Sequence, residues 1–207
     1  MKLNFRRIWQ ITLTVAMLML IIGIAIDTTD VRRYASRMER LMAAGDYQGA
    51  LRVGERSDKT DRRLLQLRIE ALAHEHLLGE RLFSYPVKGQ SKVLGMKDTD
   101  LMRQGGDRAL CACLIDRQLD RFVELLPIYY KIDDHLPRYY REALIQYNHL
   151  RSVPCIVYHD NVLDTDYRDL QELESRYADR KARHVAVFRQ YEGTYWYYYE
   201  YLNKGKE

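Results

Sequence analysis

Residues 8–26 carry no charged side chain, and this run of nineteen residues constrains the chain more than any other feature. Lys2, Arg6 and Arg7 precede it, and the first acidic residues, Asp27 and Asp30, follow it. As a helix it would span about 28 Å at ~1.5 Å per residue, close to the ~30 Å hydrocarbon core of a bilayer. Five Ile, three Leu and one Val lie between Ile11 and Ile26. At roughly −0.3 to −0.6 kcal/mol each, they favour insertion by about 3–5 kcal/mol. Thr12 and Thr14 can return their hydroxyl bonds to the helix backbone, and Trp9 stands where an interfacial aromatic would. The expectation is a single-pass signal-anchor helix that contacts the lipid bilayer through residues 8–26. Two rivals stay open: a signal peptide cleaved after Ala25, since Gly23-Ile24-Ala25 suits a signal peptidase, and a buried helix of a soluble protein.

The basic residues ahead of the run favour a cytoplasmic N-terminus. The expected location is therefore a bacterial inner (cytoplasmic) membrane, with the domain on its periplasmic side. Arg32, Arg33, Arg37 and Arg40 follow the run closely and pull the other way. Residues 1–30 read as anchor and short linker, and residues 31–207 as one domain large enough for a core of its own. With only Asp27–Asp30 as linker, that domain would be held against the membrane surface.

The 33 basic and 29 acidic residues leave a net charge of +4. The two signs are interleaved without a basic block, which suits a solvated helical surface and not a nucleic-acid partner. Four Pro and eleven Gly argue against long disordered stretches. Seventeen Tyr against four Phe suit thin helical packing, in which a ring starts in the core and its hydroxyl ends at water or a partner.

The rest of the chain reads as amphipathic helices. Val31–Ala44 has a stripe of Tyr34, Ala35, Met38, Leu41 and Met42, stopped at Gly45-Asp46. A short helix opens at Tyr47 and ends near Ser57. Asp58 or Thr60 caps the next, which carries Leu64, Leu65, Leu67, Ile69, Leu72 and Leu77 and ends at Gly79. Gly45 and Gly79 are 34 residues apart, the period of the tetratricopeptide helix pair, and Ala35/Ile69, Met38/Leu72 and Ala50/Ser84 fall in the same register. Arg68 stands where Tyr34 predicts an aromatic, and no third unit keeps the period. Ser84–Asp100 reads as a loop, with Asp98-Thr99-Asp100 capping a helix Leu101–Ile115. Leu119–Tyr129 and a helix opened by Leu136-Pro137 follow, the second with Tyr140, Ala143, Leu144, Tyr147 and Leu150 on one face. Ser152–Asp164 reads as a packed loop. Asp164 or Thr165 caps Tyr167–Tyr177, and Ala182–Tyr191 and Thr194–Leu202 form a final pair around Gly193. The fold class is all-α: an anchor helix followed by TPR-like antiparallel helix pairs, with Gly45, Tyr47, Ala50, Gly79 and Gly193 as repeat-turn residues.

The Gly45-Asp46-Tyr47-x-x-Ala50-Leu51 turn resembles a degenerate tetratricopeptide repeat. Leu78–Pro86, Leu136–Tyr147 and Tyr191–Tyr199 resemble an uncharacterised family of bacterial membrane proteins, a domain-of-unknown-function family whose C-terminal region is a helical repeat. The resemblance covers most of residues 40–202. It implies a fold and a membrane association; family members are longer, with several spans ahead of this region, so a reduced, single-span member is expected. It transfers no catalytic residue.

No segment has the spacing of an active site, so no enzyme activity, cofactor or metal is expected. His74-Glu75-His76 lacks the i, i+4 histidine pair of a zincin, and two His two apart on a helix face different ways. His135, His149, His159 and His184 are scattered. Asp133-Asp134-His135 and His159-Asp160 suit caps and turns. Gly105-Gly106-Asp107 lacks the remaining elements of a phosphate loop. Cys111, Cys113 and Cys155 read as small buried hydrophobes, with one disulfide open to an exported chain.

The aromatic segment Tyr191–Tyr201 is the strongest binding candidate. Tyr191, Tyr195 and Tyr198 share one face, Tyr197 and Tyr201 another, and Trp196 and Tyr199 a third. A helix aromatic all round cannot bury every face on one neighbour. The candidate interaction surface is Tyr191, Tyr195, Trp196, Tyr198 and Tyr199; the competing readings are a terminal helix packed on the preceding pair and contact with the bilayer interface. The function expected is a membrane-anchored, non-catalytic scaffold of the cell envelope that binds an unknown protein partner. The alternative is an exported enzyme or a peptide- or glycan-binding domain whose site gathers residues distant in sequence.

Overall fold

In a computed structural model, residues 5–89 and 105–202 are described; for residues 5–8, 10, 11 and 20–29 this covers the backbone only. The described residues form ten α-helices and no strand. They are α1 (Phe5–Ala43), α2 (Tyr47–Arg52), α3 (Arg62–His74), α4 (Leu78–Arg81), which runs into a 3₁₀ turn (Leu82–Ser84), α5 (Gly106–Ile115), α6 (Leu119–Tyr129), α7 (Arg138–Leu150), α8 (Asn161–Ser175), α9 (Arg180–Tyr191) and α10 (Tyr195–Tyr201). The chain is all-α, as its periodicity predicts. Gly95, the expected cap at 98–100 and the start of the helix at Leu101 lie outside the described residues.

Helix boundaries follow local chemistry. Asp46, Asp61, Asp160, Asp179 and Thr194 each precede a helix and accept a backbone N–H from its first turn. Two caps correct the expected ones. Asp61, not Asp58 or Thr60, caps α3 through Leu64 N at 2.7 Å. Asp160 opens α8 a turn and a half before Tyr167, accepting from Val162 N and Leu163 N. The second helix ends at Arg52, short of Ser57. Residues 27–30, expected as a linker, are helical, so α1 runs unbroken from Phe5 to Ala43. Asp27-Thr28-Thr29-Asp30 holds no Gly or Pro to stop a helix already begun.

Three helices end in the same left-handed turn. Gly45 (φ 79°), His76 (φ 58°) and Arg117 (φ 57°) each donate N–H to the carbonyl three residues back. In each turn the next residue donates to the carbonyl five back: Asp46 to Leu41, Leu77 to Leu72, Gln118 to Cys113. This is the Schellman arrangement. Gly193 (φ 81°) turns α9 into α10. The turn equivalent to Gly45 is therefore at His76, and the 34-residue match of Gly45 with Gly79 does not mark corresponding positions. Gly79 lies inside α4, where a Cβ would come within 2.6 Å of Pro137 Cβ and 2.8 Å of Tyr140 Cζ. Its lack of a side chain allows α4 to approach α7.

The core has two parts. Val31, Ala35, Met38, Ala50, Val53 and Leu64 form a small cluster among α1, α2 and α3. The larger cluster runs from Leu51 of α2 to α10 around α7, which touches α4, α6, α8 and α10. Tyr139–Tyr147 of α7 are buried with the exception of Arg141, so that helix is enclosed on nearly every side. Leu150, expected on its apolar stripe, is exposed.

The surplus of Tyr over Phe has a specific use. Helix C-termini leave carbonyls without intrahelical partners, and tyrosine hydroxyls from other elements reach them. Tyr85 donates to Leu51 O at the end of α2, Tyr195 and Tyr198 to Leu114 O and Ile115 O at the end of α5, and Tyr139 to Gly193 O. The hydroxyls thus end on backbone within the fold, giving these carbonyls a partner that Phe could not supply.

Candidate functional site

The aromatic segment is core, which corrects the expected interaction surface. Tyr195, Trp196, Tyr197 and Tyr198 are buried, and Tyr191 and Tyr199 are half-buried. Phe83 takes the rings of Tyr195 at 5.2 Å and Tyr198 at 4.6 Å, and Trp196 meets Tyr167 edge-on at 5.2 Å. A seven-residue helix can be aromatic on every side here because α7, α9 and the 3₁₀ turn approach it from different directions. Its polar ends are held by two residues that sequence reasoning missed. Glu142, buried on α7, accepts Tyr195 N at 2.6 Å, and its own carbonyl accepts Trp196 Nε1 at 2.8 Å. Arg117 donates to the carbonyls of Tyr198, Tyr199 and Leu202 at the other end. Burial pushes the Glu142 carboxyl above its ordinary range, against the opposing pull of Arg138 and the Tyr195 N–H. The i, i+4 spacing of Arg138 and Glu142 was the one available signal.

The outward edge of α10 borders a cleft of about 580 Å³ against α8 and α9. There His184 stacks on Tyr201 with ring centres 5.4 Å apart and meets Tyr197 OH through Nε2 at 2.9 Å. Tyr201 OH donates to Glu174 Oε1, and burial followed by this bond raises the Tyr201 phenol. Arg180, Lys181 and Arg183 make the rim basic. The cleft gathers residues distant in sequence, and His184, Tyr201 and Glu174 are held there by their contacts within α8–α10.

The other histidines do not converge. His135 and His159 are exposed beside Asp133 and Asp164, and His149 leans on the Tyr167 ring. In His74-Glu75-His76, His74 stacks on Tyr47 at 3.6 Å, Glu75 accepts from Gln48, and His76 makes the left-handed turn. The motif joins α3 to α2. No three His, Cys, Asp or Glu among the described residues are grouped to hold a metal ion. All three thiols are free: Cys111 and Cys113 are buried, with burial pushing them up to about 12 and about 11, and Cys155 is exposed. Asp107, from the Gly105-Gly106-Asp107 segment, accepts from the hydroxyls of Tyr130 and Tyr140 inside the fold. Arg68 is fully buried, stacks over Tyr85 at 4.9 Å and donates to Gly54 O at 3.0 Å.

The N-terminal half of α1 differs from all of this. Trp9 is 63 % exposed and Leu18 61 %, and every residue from Thr12 to Met19 is exposed. Eight consecutive residues make more than two turns, so the domain covers no side of the helix there. The C-terminal half of the same helix buries Val31, Ala35 and Met38. Among the described residues, no helix is long and apolar enough to cross a membrane. The expected span at 8–26 depends also on residues 8, 10, 11 and 20–26, whose side chains lie outside the description.

Neither the curated proteins nor the solved structures contain a match to the chain. Residues 106–202 match a family of unknown function (DUF6057). The matched stretch opens on the first residue of α5 and closes just past α10, just under half of the chain. Over α5–α10, which supply most of the larger core and all of the α8–α10 cleft, the chain is thus similar to a family to which no activity is attached.

Proposed function

We propose that the chain is a membrane-tethered helical module that binds another protein and carries out no chemistry itself. The observation that carries this reading is the division of α1: a domain-free apolar half followed, without a break, by a half that is domain core. A wholly exposed apolar surface of this length is unfavourable in water, and a bilayer is the solvent that suits it. The charge-free sequence of residues 8–26 completes the span. The repeated left-handed turns at Gly45, His76 and Arg117 favour a TPR-like succession of antiparallel pairs with unequal spacing. The basic residues ahead of the span favour a periplasmic domain in a bacterial inner membrane.

The test is extraction of membranes in mild detergent and capture of the full chain, with a topology reporter fused after Glu207 and mass measurement of the mature chain. A stoichiometric partner and an intact N-terminus are expected. Recovery of a monomer alone would count against the scaffold, and a mass that begins after Ala25 against the tether.

One observation favours a second reading. The α8–α10 cleft offers stacked aromatics and a basic rim, which suits a short acidic peptide or a glycan. Titration of the full chain with such ligands, read from Tyr201→Ala against wild type, separates the two readings.

A further inference from the structure

The geometry points to a binding surface for anionic phospholipid headgroups on α1, made by Arg32, Arg33, Arg37 and Arg40. It rests on the tether reading and assigns that tether a lipid preference.

The four guanidinium groups belong to one stretch of helix, with Arg33, Arg37 and Arg40 at i, i+4 and i+7 on one side. They flank an open groove of about 440 Å³ that includes Ser36 and no carboxylate. The opposite side of the same turns, Val31, Ala35 and Met38, is buried in the domain, so the arginines face outward. All four are exposed, and none makes an ion pair among the described residues; Arg40 Nε bonds only the Ser36 carbonyl, at 3.3 Å. The described acids of this stretch are engaged toward the domain: Asp30 with Lys59 at 3.5 Å and Glu39 with Arg63 at 2.6 Å. Two carboxylates from another part of the chain, Asp58 and Asp61, line a second groove beside Arg32, where Lys59 and Lys88 also stand. Asp61 is occupied as the cap of α3. The field over the groove is therefore positive.

Position identifies the ligand. At ~1.5 Å per residue, Arg32 stands about 9 Å beyond Ile26 and Arg40 about 21 Å. A headgroup layer is roughly 5–8 Å thick on each side of the hydrocarbon. Arginine stems can reach back into it, tilt brings them closer, and Arg40, the farthest, lies roughly one to two Debye lengths beyond it. Guanidinium groups fit phosphate oxygens in bidentate fashion. A free polyanion would meet the same charges, but only a lipid is held beside the patch by the span itself.

The experiment uses the full chain in phosphatidylcholine vesicles, with electron spin resonance of spin-labelled phosphatidylglycerol compared with spin-labelled phosphatidylcholine. The ratio of motionally restricted fractions gives the relative association. A surface arginine is worth about fivefold, so the anionic lipid is expected to be favoured at least fivefold, less in high salt. Replacing all four arginines with Gln should lower the ratio severalfold, to the level that Lys2, Arg6 and Arg7 at the other end of the span set by themselves, while replacing them with Lys should retain most of the preference. A ratio near one for the wild type, or a ratio that the Gln variant leaves unchanged, would overturn the lipid surface while leaving the tether intact. Absence of a restricted component from either lipid would show that the chain is not inserted, and the tether and the lipid surface would fall together. Circular dichroism of each variant checks that the helices persist.

Discussion

The carboxylate of Glu142 accepts the backbone N–H of Tyr195 at 2.6 Å, joining the middle of α7 to the first turn of α10 across 53 residues of chain. This bond fills a donor that the helix start leaves open, in a place water does not reach. Glu142→Ala leaves that donor bare and is expected to cost about 2–3 kcal/mol, measured by urea unfolding. Glu142→Gln keeps an acceptor and should cost less.

Burial raises the Glu142 carboxyl, so the folded chain holds this proton more tightly than the unfolded one does. The stability it contributes is full below the ordinary carboxylate range and is lost as pH rises through the raised value. The difference in unfolding free energy between Glu142→Gln and wild type should therefore move in favour of the variant as pH rises from the ordinary carboxylate range. Movement the other way would mean that Arg138 and the N–H outweigh burial.

His76 occupies the turn position that Gly45 holds in α1, with φ 58° and an exposed side chain. Left-handed backbone costs a residue with a Cβ roughly 1 kcal/mol more than glycine. His76→Gly should raise the melting temperature, and Gly45→Ala should lower it by a similar amount. Arg117 has the same geometry, but its guanidinium holds the end of α10, so Arg117→Gly should destabilise in spite of the relieved backbone.

A methyl group at Gly79 would overlap Pro137 and Tyr140. Overpacking of this kind costs about 1–3 kcal/mol, so Gly79→Ala should loosen α4 from α7, seen as faster amide exchange in both helices. Exchange unchanged from wild type would show that α7 adapts without cost.

Thiol labelling checks the core. Cys155 is exposed, whereas burial holds Cys111 and Cys113 well above the pH of reaction. One thiol should react quickly in the native chain, and the other two only at the rate of unfolding.

Much of this fold was legible because apolar spacing and stop residues speak locally. The ends of α6, α7, α9 and α10 lie within a residue or two of where Leu119–Tyr129, Leu136-Pro137, Ala182–Tyr191 and Thr194–Leu202 put them. The period failed where a side chain substituted for glycine. His76 made a turn that the sequence placed at Gly79, because left-handed backbone is an energetic preference for glycine and not a requirement. The aromatic surface failed for another reason. A ring of Tyr and Trp around one short helix looks unburiable against one neighbour, and nothing local shows that several neighbours arrive. The spacing of Arg138 and Glu142 marks an ion pair, but the roles of Glu142 and Arg117 at α10 have no local signal, since each acts on backbone more than fifty residues away.

On the tether reading, α1 passes from bilayer to domain core as one helix. Spin labels at Leu13→Cys, Met17→Cys and Glu39→Cys, with Cys155→Ser, in reconstituted vesicles test it by collision with oxygen and with a water-soluble nickel complex. Labels at 13 and 17 should collide with oxygen and be shielded from nickel, and the label at 39 should show the reverse. Free access of nickel to positions 13 and 17 would contradict the claim.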